Sequence, residues 1–173
     1  MRSLARLLGL NDTVPDRDTA TVRRIAAELE QLPAEQARYL AAFAYVLARV
    51  AHADLEVSDE EIRRIELLVV HEGGLSTAQA ALVASLARHQ AIHFSGTEDY
   101  LVTRQFRELA SREQCFSLVR CLYRVAAANG SISATEDTQI RQIALELRLT
   151  HPEVVGLRSE FKAQLAELRP DTK

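Results

Sequence analysis

Five carboxylates stand within eight residues at Asp54, Glu56, Asp59, Glu60 and Glu61. Acids that close repel one another unless something positive sits among them. A divalent cation would serve, and so would the neighbouring Arg49, Arg63 and Arg64. The run also matches the second half of a calcium loop, from its fifth position to the bidentate Glu at its twelfth. The first half fails, because Val50 and His52 stand where carboxylates are required. A hard cation wants six to eight oxygens, so a complete calcium loop is excluded and a weaker or shared site is what the residues allow. The candidate ligands are Asp54, Glu56 and Glu61. The competing reading is purely structural: Ser58 and Glu61 form a capping box, and acids in a first turn favour the positive end of the helix.

Other constellations carry less. His89 and His93 lie four apart and share a helix face, a spacing that can chelate zinc, nickel or copper. No Glu follows His89, so this is not a zinc-protease arrangement. Cys115 and Cys121 are six apart on one predicted helix and point to different sides. They read as buried, reduced thiols, which suits a cytoplasmic protein. There is no glycine-rich phosphate loop, GxSxG or CxxC, so the expectation is a non-enzymatic protein.

The acidic run occurs twice in altered form. LARVAHADLEVSDEEIRRI, ending at Ile65, aligns without a gap onto LYRVAAANGSISATEDTQI, ending at Ile140, at an offset of 75 residues. Leu47, Arg49, Val50, Ala51, Ala53, Ser58, Glu61 and Ile65 recur as Leu122, Arg124, Val125, Ala126, Ala128, Ser133, Glu136 and Ile140. Asp54 becomes Asn129. The second turn keeps only Glu136 and Asp137 as acids, which makes Asn129 and Glu136 the weaker metal candidates. Arg49 and Arg124 recur five residues before the turn, and pairing with Glu61 and Glu136 would lock each unit.

The elements that must position these turns are helices. Ser or Thr followed three residues later by Glu or Gln occurs at Ser58/Glu61, Ser76/Gln79, Ser95/Glu98, Ser111/Gln114, Ser133/Glu136 and Thr150/Glu153. Each opens an amphipathic segment, and in each the two side chains satisfy backbone N–H groups the helix leaves free. With two earlier segments, Asp18 or Thr19 to Gln31 and Pro33 to about Asp54, eight helices are predicted. The rest are Ser58–Glu72, Ser76–His93, Ser95–Ala110, Ser111–Asn129, Ser133–Arg148 and Thr150–Leu168. Gly73-Gly74 is a helix stop.

Composition agrees. The 173 residues are 47% apolar, 26% charged and 5% aromatic, without Trp, and hold only 6 Gly and 4 Pro. That leaves little turn material for a β fold. The expectation is an all-α, single-domain bundle of about seven to eight helices with an internal pseudo-repeat at about 40–72 and 115–147. Residues 1–17 form an extension, 18–168 the domain and 169–173 a tail. The helices before the two turns, carrying Leu40, Phe43, Leu47 and Val50 or Phe116, Leu118, Val119, Leu122 and Val125, are apolar nearly all round and belong at the centre.

Net charge is −3 with a pI near 6.0, which argues against nucleic acid as a partner. No apolar run approaches the ~20 residues of a membrane span. MRSLARLLGL is not a signal peptide. With Leu4, Leu7 and Leu8 on one side it admits an amphipathic tether, though one so short buries too little area to anchor alone.

Over about residues 35–150 the repeat unit resembles the TerB-like family, named for a tellurite-resistance protein. The residues that carry the resemblance are Ala53-Asp54-Leu55-Glu56-Val57-Ser58 with Glu61, and Ala128-Asn129-Gly130-Ser131-Ile132-Ser133 with Glu136. Leu55 stands where the family pattern has Gly, and Asn129 where it has Asp. The resemblance implies a small all-helical domain of stress-response and envelope-associated complexes, a protein partner, and acidic residues that bind divalent metal. Without a His-Pro-Asp tripeptide the J-domain activity of some relatives is excluded. The alternative is a structural or oligomeric adaptor with no metal site. It predicts an exposed stripe of Val154, Val155, Leu157, Phe161 and Leu165.

Overall fold

A computed structural model describes residues 27, 28, 30–51, 59–90 and 96–165. Seven α-helices lie among them: α1 (Ala34–Ala51), α2 (Asp59–Gly73), α3 (Thr77–Gln90), α4 (Gly96–Leu109), α5 (Arg112–Ala126), α6 (Ala134–Glu146) and α7 (His151–Ser159). No strand occurs among the described residues; the one β feature is a parallel bridge between Ile132 and Leu165. The protein is all-α.

The two helices expected at the centre are there. α1 packs against α3, α4, α5 and α6, while α5 packs against α1, α2, α6 and α7. From Tyr39 to Ala48 every residue of α1 is buried. Its alanines, with Ala80, Ala84 and Ala87 of α3, keep the side chains at this contact small, and α1 and α3 are the most extensively packed pair. Tyr39, Phe43 and Phe106 form an aromatic cluster with ring centroids 5.2–6.1 Å apart. Burying a side chain the size of Phe43 or Leu40 stabilises the fold by about 1.5–3 kcal/mol.

Four capping boxes are visible. In three, the Ser hydroxyl accepts the N–H three residues on and the Gln or Glu accepts the Ser N–H: Ser76/Gln79, Ser111/Gln114 and Ser133/Glu136. In the fourth, Glu153 accepts both the N–H and the hydroxyl of Thr150, at 2.6 and 2.7 Å. Ser58/Glu61 and Ser95/Glu98 lie outside the described side chains, as does most of the expected first helix.

Two elements, α5 and α7, end earlier than expected. α5 ends at Ala126 and passes into a single 3-10 turn, Ala127–Asn129, closed by Gly130 at φ 86. α7 stops at Ser159 rather than near Leu168. The chain then turns so that Leu165 meets Ile132, whose N–H donates to the Gln164 carbonyl at 2.7 Å. This tertiary pairing takes up residues that would otherwise continue a helix.

The stripe assigned to an oligomer surface is also corrected. Val154, Leu157, Phe161 and Leu165 are buried inside the chain, and only Val155 is exposed. Phe161 stacks on Tyr123 with centroids 5.0 Å apart. The stripe is core, covered by α5 and α6.

Candidate functional site

The second turn is described in full except for the side chain of Asn129. Gly130 sits in the left-handed region, and Ile132 is buried. Ser133 then caps α6 in extended conformation. One carboxylate oxygen of Glu136 accepts from the Ser133 N–H at 2.8 Å and from its hydroxyl at 2.7 Å.

Asp137 is 1% exposed. It accepts from the Tyr123 hydroxyl at 3.1 Å and, with both oxygens, from Arg158 Nε at 3.0 Å, and Arg141 Nε lies 3.2 Å away. A carboxylate that deep would be costly alone, and two cations and a hydroxyl compensate it. Burial, then the Asp137 charge, pushes the Tyr123 phenol above its ordinary value, so it stays a donor. These contacts join α5, α6 and α7 at one point. Composition gave no sign of this cluster, but the repeat did: Asp137 occupies the position of Ile62, a buried residue of α2.

The first turn, with Asp54 and Glu56, lies outside the described residues, and of Glu61 only the backbone in α2 is described. Its flanks are fixed. Arg49, in the last turn of α1, donates to Thr103 Oγ1 at 2.7 Å and to Glu146 Oε2 at 3.0 Å. The Arg49 carbonyl accepts from Gln139 at 2.7 Å. The first turn therefore leaves from a helix end held by α4 and α6.

Arg124 is the repeat partner of Arg49, and its expected pairing with Glu136 is not formed. Arg124 Nε lies 3.3 Å from Glu72 Oε1, and its guanidinium covers the Phe161 ring at 5.2 Å. Glu136 is taken by its cap instead. The two ion pairs are thus crossed: each central arginine holds a glutamate at the C-terminal end of the other unit's second helix. The sequence carried both arginines but not this crossing, which arises because α2 packs on α5 and α6 on α1.

The other candidates are dispersed. His71 is exposed at the end of α2. The His89 side chain and His93 lie outside the description. Among the described residues no group of three or more His, Cys, Asp or Glu is arranged to hold a metal ion. Cys115 and Cys121 are buried and unpaired, and burial raises both thiols, Cys121 to about 12. They are neutral thiols, the opposite of what a nucleophile needs.

The family model described as tellurite resistance protein TerB matches residues 40–159. The chain belongs to the TerB family. The match runs from the middle of α1 to the end of α7 and so spans both TerB units. Phe161 and Leu165, which pack back onto this TerB domain, lie beyond it. No curated protein and no solved structure matches the chain. Among the described residues no helix is long and apolar enough to cross a membrane.

Proposed function

We propose that this TerB domain is a non-enzymatic interaction module of a stress-response or envelope-associated assembly, binding a protein partner around its first turn with a divalent cation held there by Asp54, Glu56 and Glu61. One observation carries the choice of turn: both acids of the second turn are committed to the fold, Glu136 to its cap and Asp137 to Tyr123 and Arg158. In this reading Asn129 and Glu136 have a structural role. The two buried, unpaired cysteines support a reducing compartment, the cytoplasm.

The cation clause is tested by thermal melts of the full chain with calcium, magnesium, manganese or zinc. A bound cation raises Tm at millimolar concentration. Replacing Asp54 and Glu61 by Ala removes that gain, whereas Glu136→Ala lowers Tm equally with and without the cation. No rise with any of the four ions refutes the clause.

A further inference from the structure

Residues 150–165 follow α6 after a short connection, Leu147–Leu149, and that connection is strained. The C-terminal end of α6 closes as a Schellman motif: the Arg148 N–H donates to the Leu145 carbonyl and the Leu149 N–H to the Ala144 carbonyl. The residue in the left-handed position is Arg148, at φ 60, the only non-glycine with positive φ among the described residues. After α2 the left-handed residue is a glycine, Gly74, at φ 66. L side chains tolerate this region poorly.

Beyond the connection, the segment is held by contacts of two kinds. Around the edge, Arg112 pairs with Glu153 at 2.5 Å and Arg120 with Glu160 at 2.9 Å, both partly open to water. Beneath, Arg158 meets Asp137, Phe161 stacks on Tyr123, and Gln164 accepts the Ile132 N–H. The last of these matters most, because Ile132 belongs to the second turn and not to the segment. Its amide is covered by the segment's backbone.

We propose that residues 150–165 form a hinged strap, which opens as a unit about Arg148 while α1 to α6 stay folded, and which governs access to the second turn. Opening relieves the backbone at Arg148 and uncovers Tyr123, Asp137 and the extended edge at Ile132. Closing restores the charge pairs and the aromatic stack. Cooperative segments that open below the global unfolding threshold are typically supersecondary units with fewer packed neighbours. α7 packs on α5 and α6, whereas α1 and α5 are each packed on four sides.

Native-state hydrogen exchange of the full chain, followed residue by residue in low urea, tests this. The amides of α7 and the Ile132 amide are expected to exchange together, at least tenfold faster than those of Leu118–Leu122 and with a weaker urea dependence. Arg148→Gly slows the strap and Ile132 by a common factor of about five. Phe161→Leu accelerates both by a common factor of about ten. Exchange of α7 with the rate and urea dependence of α5 would show that only global unfolding frees it and would overturn the proposal. So would an Ile132 amide whose rate ignores both substitutions.

Discussion

In the first unit α2 ends at Gly73 and is followed by Gly74 at φ 66, with Glu72 paired to Arg124 where water reaches both. In the second, α6 ends on Glu146, Leu147 and Arg148, with Arg148 at φ 60 and Glu146 paired to Arg49 with each side chain only 9% exposed. In each unit a left-handed residue follows the second helix, and a glutamate near that helix's end is held by the other unit's central arginine. What differs is the setting. The first unit has the unstrained residue and the weak pair, and the second has the strained residue and the buried pair. A pair in water is screened and adds at most about 1 kcal/mol. A buried pair adds little net stability, yet breaking it leaves a charge without solvent. Duplicated geometry therefore does not carry duplicated energetics.

The comparison is broken most directly at the glutamates. Glu146→Ala is expected to cost about 3 kcal/mol in urea unfolding, because Arg49 and the Arg49–Thr103 contact lose a buried countercharge. Glu72→Ala is expected to cost under about 1 kcal/mol, since Arg124 and Glu72 are 49% and 22% exposed. Added salt shrinks the second effect and leaves the first. Equal costs would mean that burial does not distinguish the units.

Exchanging the helix stops comes next. Gly74→Ala is expected to lower stability by about 1 kcal/mol, and Arg148→Gly to raise it by up to about 1 kcal/mol, read as shifts of the urea midpoint at constant slope. Gly73 differs from both, because a Cβ there would lie 3.1 Å from the Phe43 ring. The cap of the second turn is of similar size: Ser133→Ala should cost about 1 kcal/mol.

The smallest effect is a titration. Hydrogen bonds from Arg112, and then from Thr150, hold Glu153 at about 2, below its ordinary 4.5. Arg120 lowers Glu160 in the same way. Because the folded value of Glu153 is depressed, its contribution is complete above about pH 4.5 and fades as pH falls toward 2. Carbon-detected NMR titration of Arg112→Ala should return Glu153 toward 4.5. A Glu153 still near 2 would assign the shift to Thr150 alone.

The fold was largely legible because its signals are local. Capping boxes satisfy backbone groups within one turn, and the all-round apolar pattern of α1 and α5 marked them as central before any contact was known. The oligomer stripe failed because periodicity identifies an apolar face, not what covers it. Phe161 and Leu165 are covered by Tyr123 and Ile132, far off in the chain. The candidate site was legible only in part. Glu136 took the capping role its spacing from Ser133 predicted, while Asp137 had the appearance of one more solvated first-turn acid.

By itself the sequence determined the all-helical class, the family and the capping of the second turn, because each rests on residues within a few turns of one another. The partners of the charges were decided only by tertiary structure. Arg49 reaches Glu146 across 97 positions, Asp137 finds Arg158 on another helix, and Arg124 turns to Glu72. Side chains four apart on one helix meet by geometry, but charges on different helices meet only once the apolar faces have set which helices touch.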